Sequence, residues 1–391
     1  MIDFNNTQIA FSGKSNNDLL RASWLFTTIA SPTIVTIGNF FASLAIRLHI
    51  PINWFAKPTL YKQFVGGETI EECVPIVRQL EKYNVKAILD YSVEGGESDS
   101  YMEGVLQETM RTVDFAASDP NVPIAVFKPT AFAPGYVLEK ASSGQAMSAM
   151  EQVSIDNFRR RIVILCEHAY KLGVPLMIDA EDVHFQPIID EVTLQMMEKY
   201  NHEKAIVFNT YQMYRTDRLD VLKKDHARAV EKNFFLGAKF VRGAYMERER
   251  RRAAKMGYPS PIHPDKPSTD KAYNDALTFS VEHLDRISIF NGTHNEESCH
   301  HLMKLMDKHK IAKDDTRIWT SQLYGMSDHI SFNMAHAGYN VVKYMPYGPV
   351  KSVLPYLVRR AEENTSIAGQ TGRELKLIKM ERKRRKANPN S

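Results

Sequence analysis

The 391-residue sequence predicts an α/β fold, a (β/α)8 TIM barrel preceded by an N-terminal helical extension. Three observations carry this. Short apolar runs of β type recur along the chain, helix-like stretches separate them, and the length suits a barrel of about 250 residues with additions at its ends.

The runs come in order. Ala87-Ile88-Leu89-Asp90-Tyr91 is followed by Ile124-Ala125-Val126-Phe127-Lys128 and Leu176-Met177-Ile178-Asp179. Ala205-Ile206-Val207-Phe208-Asn209, Ala238-Lys239-Phe240-Val241-Arg242 and Ile287-Ser288-Ile289-Phe290 come next, and Arg317-Ile318-Trp319-Thr320-Ser321 and Val341-Val342-Lys343-Tyr344 complete eight. Each is almost continuously apolar, as a strand buried on both faces must be. Successive runs start 24 to 52 residues apart, enough for a strand, a helix and two loops. Pro129 and Pro346 are read as following strand ends, where a missing N–H costs least. Between the runs, Ser154 to Tyr170 places Ile155, Phe158, Ile162, Leu165 and Ala169 near helical period, and Tyr356 to Glu363 reads as a helix opened by Pro355. The division expected is an N-terminal helical region at 1–84, a (β/α)8 barrel at 85–372 and a basic C-terminal tail at 373–391.

Composition removes several classes. A hydrophobic content of 43% and charged content of 25% describe an ordinary globular protein, neither disordered nor polytopic. Net charge is +4, but Arg373 to Lys386 alone carries +6, leaving about −2 elsewhere. That run reads as a solvated helix and tail whose cations suit the helix dipole, with attraction to anionic lipid as the alternative. Nucleic acid is not expected as a partner, because no recognition motif accompanies the run. Cys73, Cys166 and Cys299 share no metal or redox spacing, which suggests a reducing compartment. No targeting segment is read at the start of the chain, so the expected location is cytoplasmic. The 25 residues from 22 to 46 carry no formal charge, but Pro32, Gly38 and scattered Ser, Thr and Asn favour packed, membrane-grazing helices over a span.

In such a barrel the chemistry gathers where strands end. Those positions carry Asp90 and Glu94, Lys128, Asp179 and Glu181, Asn209 and Gln212, Lys239, Arg242 and Tyr245, Thr293-His294-Asn295, Gln322 and Tyr344. A scaffold alone has no use for polar groups at nearly every strand end. No GxGxxG or P-loop pattern is present, which excludes the common nucleotide folds. His294, Cys299, His300 and His301 are weighed as metal ligands, but helical spacing keeps the last three from facing one ion, so no metal is expected. A Schiff-base role for Lys128 is weighed and disfavoured, for want of a phosphate-binding glycine pattern. Arg359 and Arg360 read equally as surface partners of Glu363 or as two guanidiniums closing on a small carboxylate.

Eight ordered motifs make the sequence resemble the proline dehydrogenase (proline oxidase) family, closer to its mitochondrial-type members. They are Leu89-Asp90-Tyr91-Ser92-Val93-Glu94, Leu176-Met177-Ile178-Asp179-Ala180-Glu181, Val207-Phe208-Asn209-Thr210-Tyr211-Gln212 and Lys239-Phe240-Val241-Arg242-Gly243-Ala244-Tyr245. Thr293-His294-Asn295, Gln322-Leu323-Tyr324-Gly325-Met326, Tyr344-Met345-Pro346-Tyr347-Gly348-Pro349-Val350 and the arginine-pair stretch Tyr356 to Asn364 follow. The resemblance implies a distorted barrel holding FAD. It also implies oxidation of L-proline to Δ1-pyrroline-5-carboxylate, by hydride transfer from C5 to flavin N5, with electrons passing to a quinone.

Residue by residue, the resemblance implies that Lys128, Arg359 and Arg360 hold the proline carboxylate. Asp179 matches an acid beneath the substrate, and Glu94 an acid that pairs with the gating arginine. Tyr245, Leu323, Tyr344 and Tyr356 match the walls around the ring. Ala180, Asn209, Val241, Arg242, Gly243, Thr293 and His294 match flavin contacts. Lys239 stands where bifunctional bacterial members carry an arginine near the reactive flavin nitrogen, and Arg242 where they carry a lysine, so Lys128, Asp179 and Lys239 form the implied catalytic set. Tyr344 occupies a position where hydroxyproline-oxidising relatives have a smaller residue, which favours proline over trans-4-hydroxy-L-proline. No aldehyde dehydrogenase domain accompanies the barrel, implying a separate pyrroline-5-carboxylate dehydrogenase downstream. A non-catalytic adaptor to membrane or nucleic acid is the reading of another class.

Overall fold

The computed structural model describes residues 2–29, 57–93, 96, 98–353, 356–357 and 370–388. Eight strands form one sheet: β1 (Lys86–Tyr91), β2 (Ala125–Phe127), β3 (Leu176–Ile178), β4 (Val207–Gln212), β5 (Leu236–Val241), β6 (Ile287–Gly292), β7 (Ile318–Leu323) and β8 (Val341–Tyr347). Their hydrogen-bonded order is β1-β8-β7-β6-β5-β4-β3-β2, so strands consecutive in sequence neighbour one another, as in a (β/α)8 barrel. From β2 to β7 the pairing is parallel, in registers such as Ile178 with Asn209, Thr210 with Lys239, and Lys239 with Phe290.

Helices precede and alternate with the strands. They are α1 (Thr7–Ala10), α2 (Asn16–Ile29), α3 (Ile70–Glu81), α4 (Asp99–Ser118), α5 (Gly135–Ser143), α6 (Ala149–Leu172), α7 (Gln186–Tyr200), α8 (Arg218–Lys232), α9 (Met246–Met256), α10 (Lys266–Glu282), α11 (Glu296–Lys308), α12 (Asp328–His336) and α13 (Gln370–Ala387). The predicted Ser154–Tyr170 stretch lies inside α6. A capping box between Ser148 and Glu151 starts that helix, and Gly173 ends it at φ 68°. Its apolar stripe Ile155, Phe158, Ile162, Leu165 and Ala169 is buried.

Two compact units make up the chain. One comprises 88–91 and 95–321, with β2 to β6 at its centre. Asn201, fully buried after α7, ties this unit together below the strands. Its amide accepts from the N–H groups of Ile206 and Val207 at 2.9 and 2.8 Å, and donates to the carbonyls of Val207 and Phe235 at 2.9 Å each.

The other unit comprises 1–87, 92–94 and 322–391. Its core joins Phe11, Leu19 and Phe26 to Phe64, Val353 and Leu377. The basic C-terminal stretch is helical and docked rather than wholly solvated. Leu377, Ile378, Glu374 and Glu381 of α13 are buried, Glu374 accepts from the Ser327 N–H, and Arg385 donates to the carbonyls of Phe11 and Lys14 at 2.8 Å.

β4, β6, β7 and β8 run two or three residues further than their apolar runs, and β4 and β8 show why. β4 continues past Asn209 through Thr210, Tyr211 and Gln212, because their polar groups find partners: Thr210 Oγ1 donates to Ile178 O at 2.8 Å and Gln212 Nε2 to Glu181 O at 2.6 Å. β8 continues through Pro346 to Tyr347, so that proline lies inside the strand; its carbonyl accepts from Gly66 N–H at 2.8 Å. Most of the uncharged 22–46 segment, Pro355 and the Val358–Glu363 part of the predicted last helix lie outside the described residues. Among the described residues, no helix is long and apolar enough to cross a membrane.

Candidate active site

Four charged groups alternate in sign at the carboxyl ends of β1, β2, β3 and within β5. Lys128, which caps the short turn Pro129–Ala131 after β2, places Nζ 2.5 Å from Asp90 Oδ2 and 3.7 Å from Asp179 Oδ2. Lys239 of β5 places its own Nζ 2.5 Å from Asp179 Oδ1. Asp90 is fully buried, and the other three side chains are at most 15% exposed. Ions this enclosed persist only when paired, and the alternation leaves each carboxylate against an ammonium. Burial alone pulls the Lys128 ammonium down, but Asp90 and Asp179 outweigh it and hold Lys128 above the usual lysine range. Both carboxylates thus favour the charged form of Lys128.

Glu181, buried two residues beyond Asp179, joins this cluster to Tyr245. Its Oε1 accepts from Thr130 Oγ1 at 3.0 Å and its Oε2 from Tyr245 OH at 2.8 Å. Its backbone is pinned as well, with N–H donating to Gln186 Oε1 at 2.8 Å and the carbonyl accepting from Gln212. Burial, helped by Asp179, pushes the carboxyl up to about 7 against the pull of Lys128, Tyr245 and Thr130. Between its ordinary value of 4.5 and about 7, the folded chain holds a proton that the unfolded chain has released. Stability contributed by this group is therefore complete below the lower value and is lost as pH rises through the upper one. In denaturant titrations from pH 5 to 8, wild type should lose stability relative to Glu181→Gln as pH rises. Parallel curves would remove Glu181 as a near-neutral acid.

Beyond β5 the chain turns through Arg242, Gly243 and Ala244 to Tyr245. Gly243 adopts φ 106°, open to glycine and strained for other residues. Arg242 stacks 3.6 Å from the Tyr273 ring centroid, ion-pairs with Asp270, and donates to Ser298 Oγ at 2.6 Å and Thr293 Oγ1 at 3.3 Å. Its Nε is enclosed without a hydrogen-bond partner. A fixed guanidinium with a spare donor, a glycine permitting close backbone approach and the Lys239 ammonium suit an electron-rich, partly anionic ring system, so the residues fit a flavin. Ala180 and Val241 border these groups in sequence, and His294 follows Thr293 before the Asn295 cap of α11. Asn209, matched by resemblance to a flavin contact, lies in β4, where its Nδ2 donates to Asp190 at 3.0 Å and its Oδ1 accepts from Thr210 N–H at 2.8 Å.

The structure therefore joins Lys128, Asp179 and Lys239, sets Arg242 beside Thr293, and connects Tyr245 through Glu181 to Thr130. Thr130, Asp270, Ser298 and Tyr273 escaped sequence reasoning, since nothing in their spacing marks them. Asp90 carried a signal, a carboxylate inside an apolar run. Cys299, His300 and His301 lie along α11, where Cys299 is buried, its thiol pushed up to about 12 by burial, and His301 Nε2 pairs with Thr278 Oγ1 at 2.8 Å.

Leu323, Tyr344 and Tyr356 belong to the other unit. Leu323 ends β7, while Tyr344 in β8 and Tyr356 are buried, and Tyr344 O accepts from Tyr324 N–H at 2.8 Å. That unit also holds a buried ion pair the sequence did not announce, Lys343 Nζ to Asp328 Oδ1 at 2.7 Å, with Lys14 3.6 Å from the same carboxylate. Glu94, Arg359 and Arg360 lie outside the described residues.

Comparison with known proteins accords with this arrangement. Residues 73–373 match the family described as Proline dehydrogenase. The chain is 34% identical to the carbapenem antibiotics biosynthesis protein CarD of Pectobacterium carotovorum subsp. carotovorum over 82% of this chain and 83% of that one. It is 34% identical to the mitochondrial proline dehydrogenase 1 of Dictyostelium discoideum, covering 89% of this chain and 68% of that protein. A hydroxyproline dehydrogenase of Xenopus laevis is 30% identical over 97% of this chain and 89% of that one. Among solved structures, proline utilization A (PutA) from Bdellovibrio bacteriovorus superposes with a TM-score of 0.73 at 20% identity, over 95% of this chain and 40% of the PutA chain.

Proposed function

The chain belongs to the proline dehydrogenase family, and from that premise we propose that it oxidises L-proline to Δ1-pyrroline-5-carboxylate with FAD as resident cofactor and a quinone as electron acceptor. The observation that carries this reading is the alternating Asp90, Lys128, Asp179 and Lys239 cluster at the strand ends. The bound flavin supplies a two-electron acceptor for the hydride on proline C5. Lys239, Arg242, Gly243 and Thr293 are the residues that would hold it, with Ala180, Val241 and His294 beside them.

Lys128, kept protonated by its two carboxylates, offers a fixed charge-assisted donor to the proline carboxylate, and Arg359 and Arg360 complete that grip by resemblance. Asp179 orients both lysines at once, so the charge that meets the substrate and the charge that meets the cofactor are set by one side chain. Glu181 fixes the Tyr245 hydroxyl and thereby the ring against the substrate. The amine nitrogen of proline supplies the electron pair for the new C=N bond and releases its proton to water, so no side chain need act as a base.

The Xenopus relative's name keeps trans-4-hydroxy-L-proline as a second substrate to test. Tyr344 favours proline, and steady-state assays with both amino acids and a soluble quinone should give proline the larger kcat/KM by about 10–100-fold. A ratio favouring the hydroxylated substrate would overturn the assignment.

Delivery of electrons to a quinone places the protein at a membrane surface, as a peripheral partner on the inner, cytoplasmic face. Three buried free cysteines suit that reducing side. Lys376, Lys379, Lys383 and Lys386 are exposed along α13 at helical spacing, which gives an anionic lipid surface a basic stripe. Converting all four to Gln should weaken binding to phosphatidylserine-containing vesicles at least tenfold at low salt. Unchanged sedimentation with the vesicles would remove α13 from the contact.

A further inference from the structure

A second cluster of side chains, which begins one residue beyond Glu181 and shares none of the four charged groups at the strand ends, has metal-ligating chemistry. Asp182 and His184 lie in the loop after β3, and Glu249 lies in the first turn of α9. One ligand atom from each falls within 4.8 Å of the other two, and among the described residues this is the one such group of His, Cys, Asp or Glu. Two enclosed polar atoms there have no hydrogen-bond partner: Glu249 Oε2, on a residue only 1% exposed, and His184 Nδ1. Glu249 Oε1 accepts from Val183 N–H at 2.8 Å, which anchors the carboxylate and leaves Oε2 available to a ligand.

Charge balance permits a cation. Asp182 is ion-paired with Arg248, and Arg252 is engaged by Glu139 at 2.5 Å. Three carboxylates, Asp182, Glu139 and Glu249, thus face two guanidiniums and the His184 imidazole, whose Nε2 is 3.9 Å from Glu139, so with His184 neutral the Glu249 carboxylate is the one left over. A buried carboxylate beside another carboxylate requires a proton or a cation between them.

We propose that Asp182, His184 and Glu249 form a binding site for one divalent first-row transition-metal ion. An imidazole nitrogen with two carboxylate oxygens is a mixed N/O set that Zn2+ and its neighbours accept, and three protein ligands leave further positions to water. Metal–ligand bonds of about 2.0–2.2 Å bring tetrahedral ligand atoms to about 3.2–3.6 Å from one another, so the cluster must contract. Rotation of the half-buried His184 side chain, which packs against the Phe185 ring at 4.0 Å, supplies that movement.

The test is calorimetric titration of the purified full-length chain with Zn2+ after chelator treatment and dialysis. Wild type should take up one Zn2+ per chain with saturable binding. His184→Ala and Asp182→Asn should each weaken the affinity at least tenfold, whereas His202→Ala, an exposed histidine outside the cluster, should not. His184→Ala removes a partly exposed ring, and an unchanged circular dichroism spectrum and melting temperature would show that its lost binding reports a lost ligand. Absence of saturable binding to wild type, or equal affinity in wild type and His184→Ala, would overturn the proposal. Neither result depends on the oxidation of proline.

Discussion

Lys128→Met is expected to lower kcat/KM for L-proline by about 10²–10³-fold, the kinetic equivalent of roughly 3–4 kcal/mol for removing a desolvated, charge-assisted contact. The same change removes the ammonium 2.5 Å from fully buried Asp90, which should lower stability by about 3–5 kcal/mol. The two effects separate in a double variant. Lys128→Met with Asp90→Asn no longer buries an uncompensated carboxylate, so most of the stability should return, while the proline kinetics should not. Denaturant unfolding and steady-state kinetics on the three proteins distinguish the outcomes. Recovery of kcat/KM in the double variant would mean that Lys128 serves Asp90 alone and never meets the substrate.

Asn201→Ala should be among the most damaging single changes for stability. Its amide satisfies two buried N–H groups, a buried carbonyl and a part-buried one at the foot of β4 and β5. At about 1–3 kcal/mol for each buried group left unsatisfied, and with water able to replace some of these bonds, the loss should reach about 4 kcal/mol or more. Asn201→Asp keeps the two accepting contacts but sets a buried carboxylate oxygen against the carbonyls of Val207 and Phe235, so it should destabilise at least as much as alanine. Urea denaturation followed by circular dichroism measures both. A loss below about 1 kcal/mol for Asn201→Ala would show that these backbone groups find other partners.

Neither effect is equally visible in the sequence. The eight strands were legible because both of their faces are buried, which makes them short, continuous apolar runs between helical stretches. The strand ends were less so. β4 continues through Thr210 and Gln212, whose side chains satisfy themselves on Ile178 and Glu181, and a polar residue with a built-in partner reads as a loop until the partner is seen. Helix α13 is a similar case. Its charge dominates its composition, yet Glu374 and Glu381 face inward with Leu377 and Ile378, and that buried face is set by partners remote in sequence, Ser327 above all.

Of the site, the lysines and carboxylates announced themselves as charges where apolar residues were expected. Lys128, Asp179 and Lys239 meet in space. What the sequence withheld were neutral supports such as Thr130, which grips Glu181, and Asn201, whose importance lies in four backbone contacts. The Asn209 amide is likewise held by partners that spacing does not mark, Asp190 and the Thr210 N–H.

Whether a bound flavin takes the hydride from proline is read from the visible absorption spectrum of the purified, FAD-supplemented protein under anaerobic conditions, before and after addition of L-proline. A protein-bound flavin band should be present, proline should bleach it, and a quinone should restore it. A protein that retains no flavin, or whose flavin stays oxidised in saturating proline, would contradict the proposed reaction.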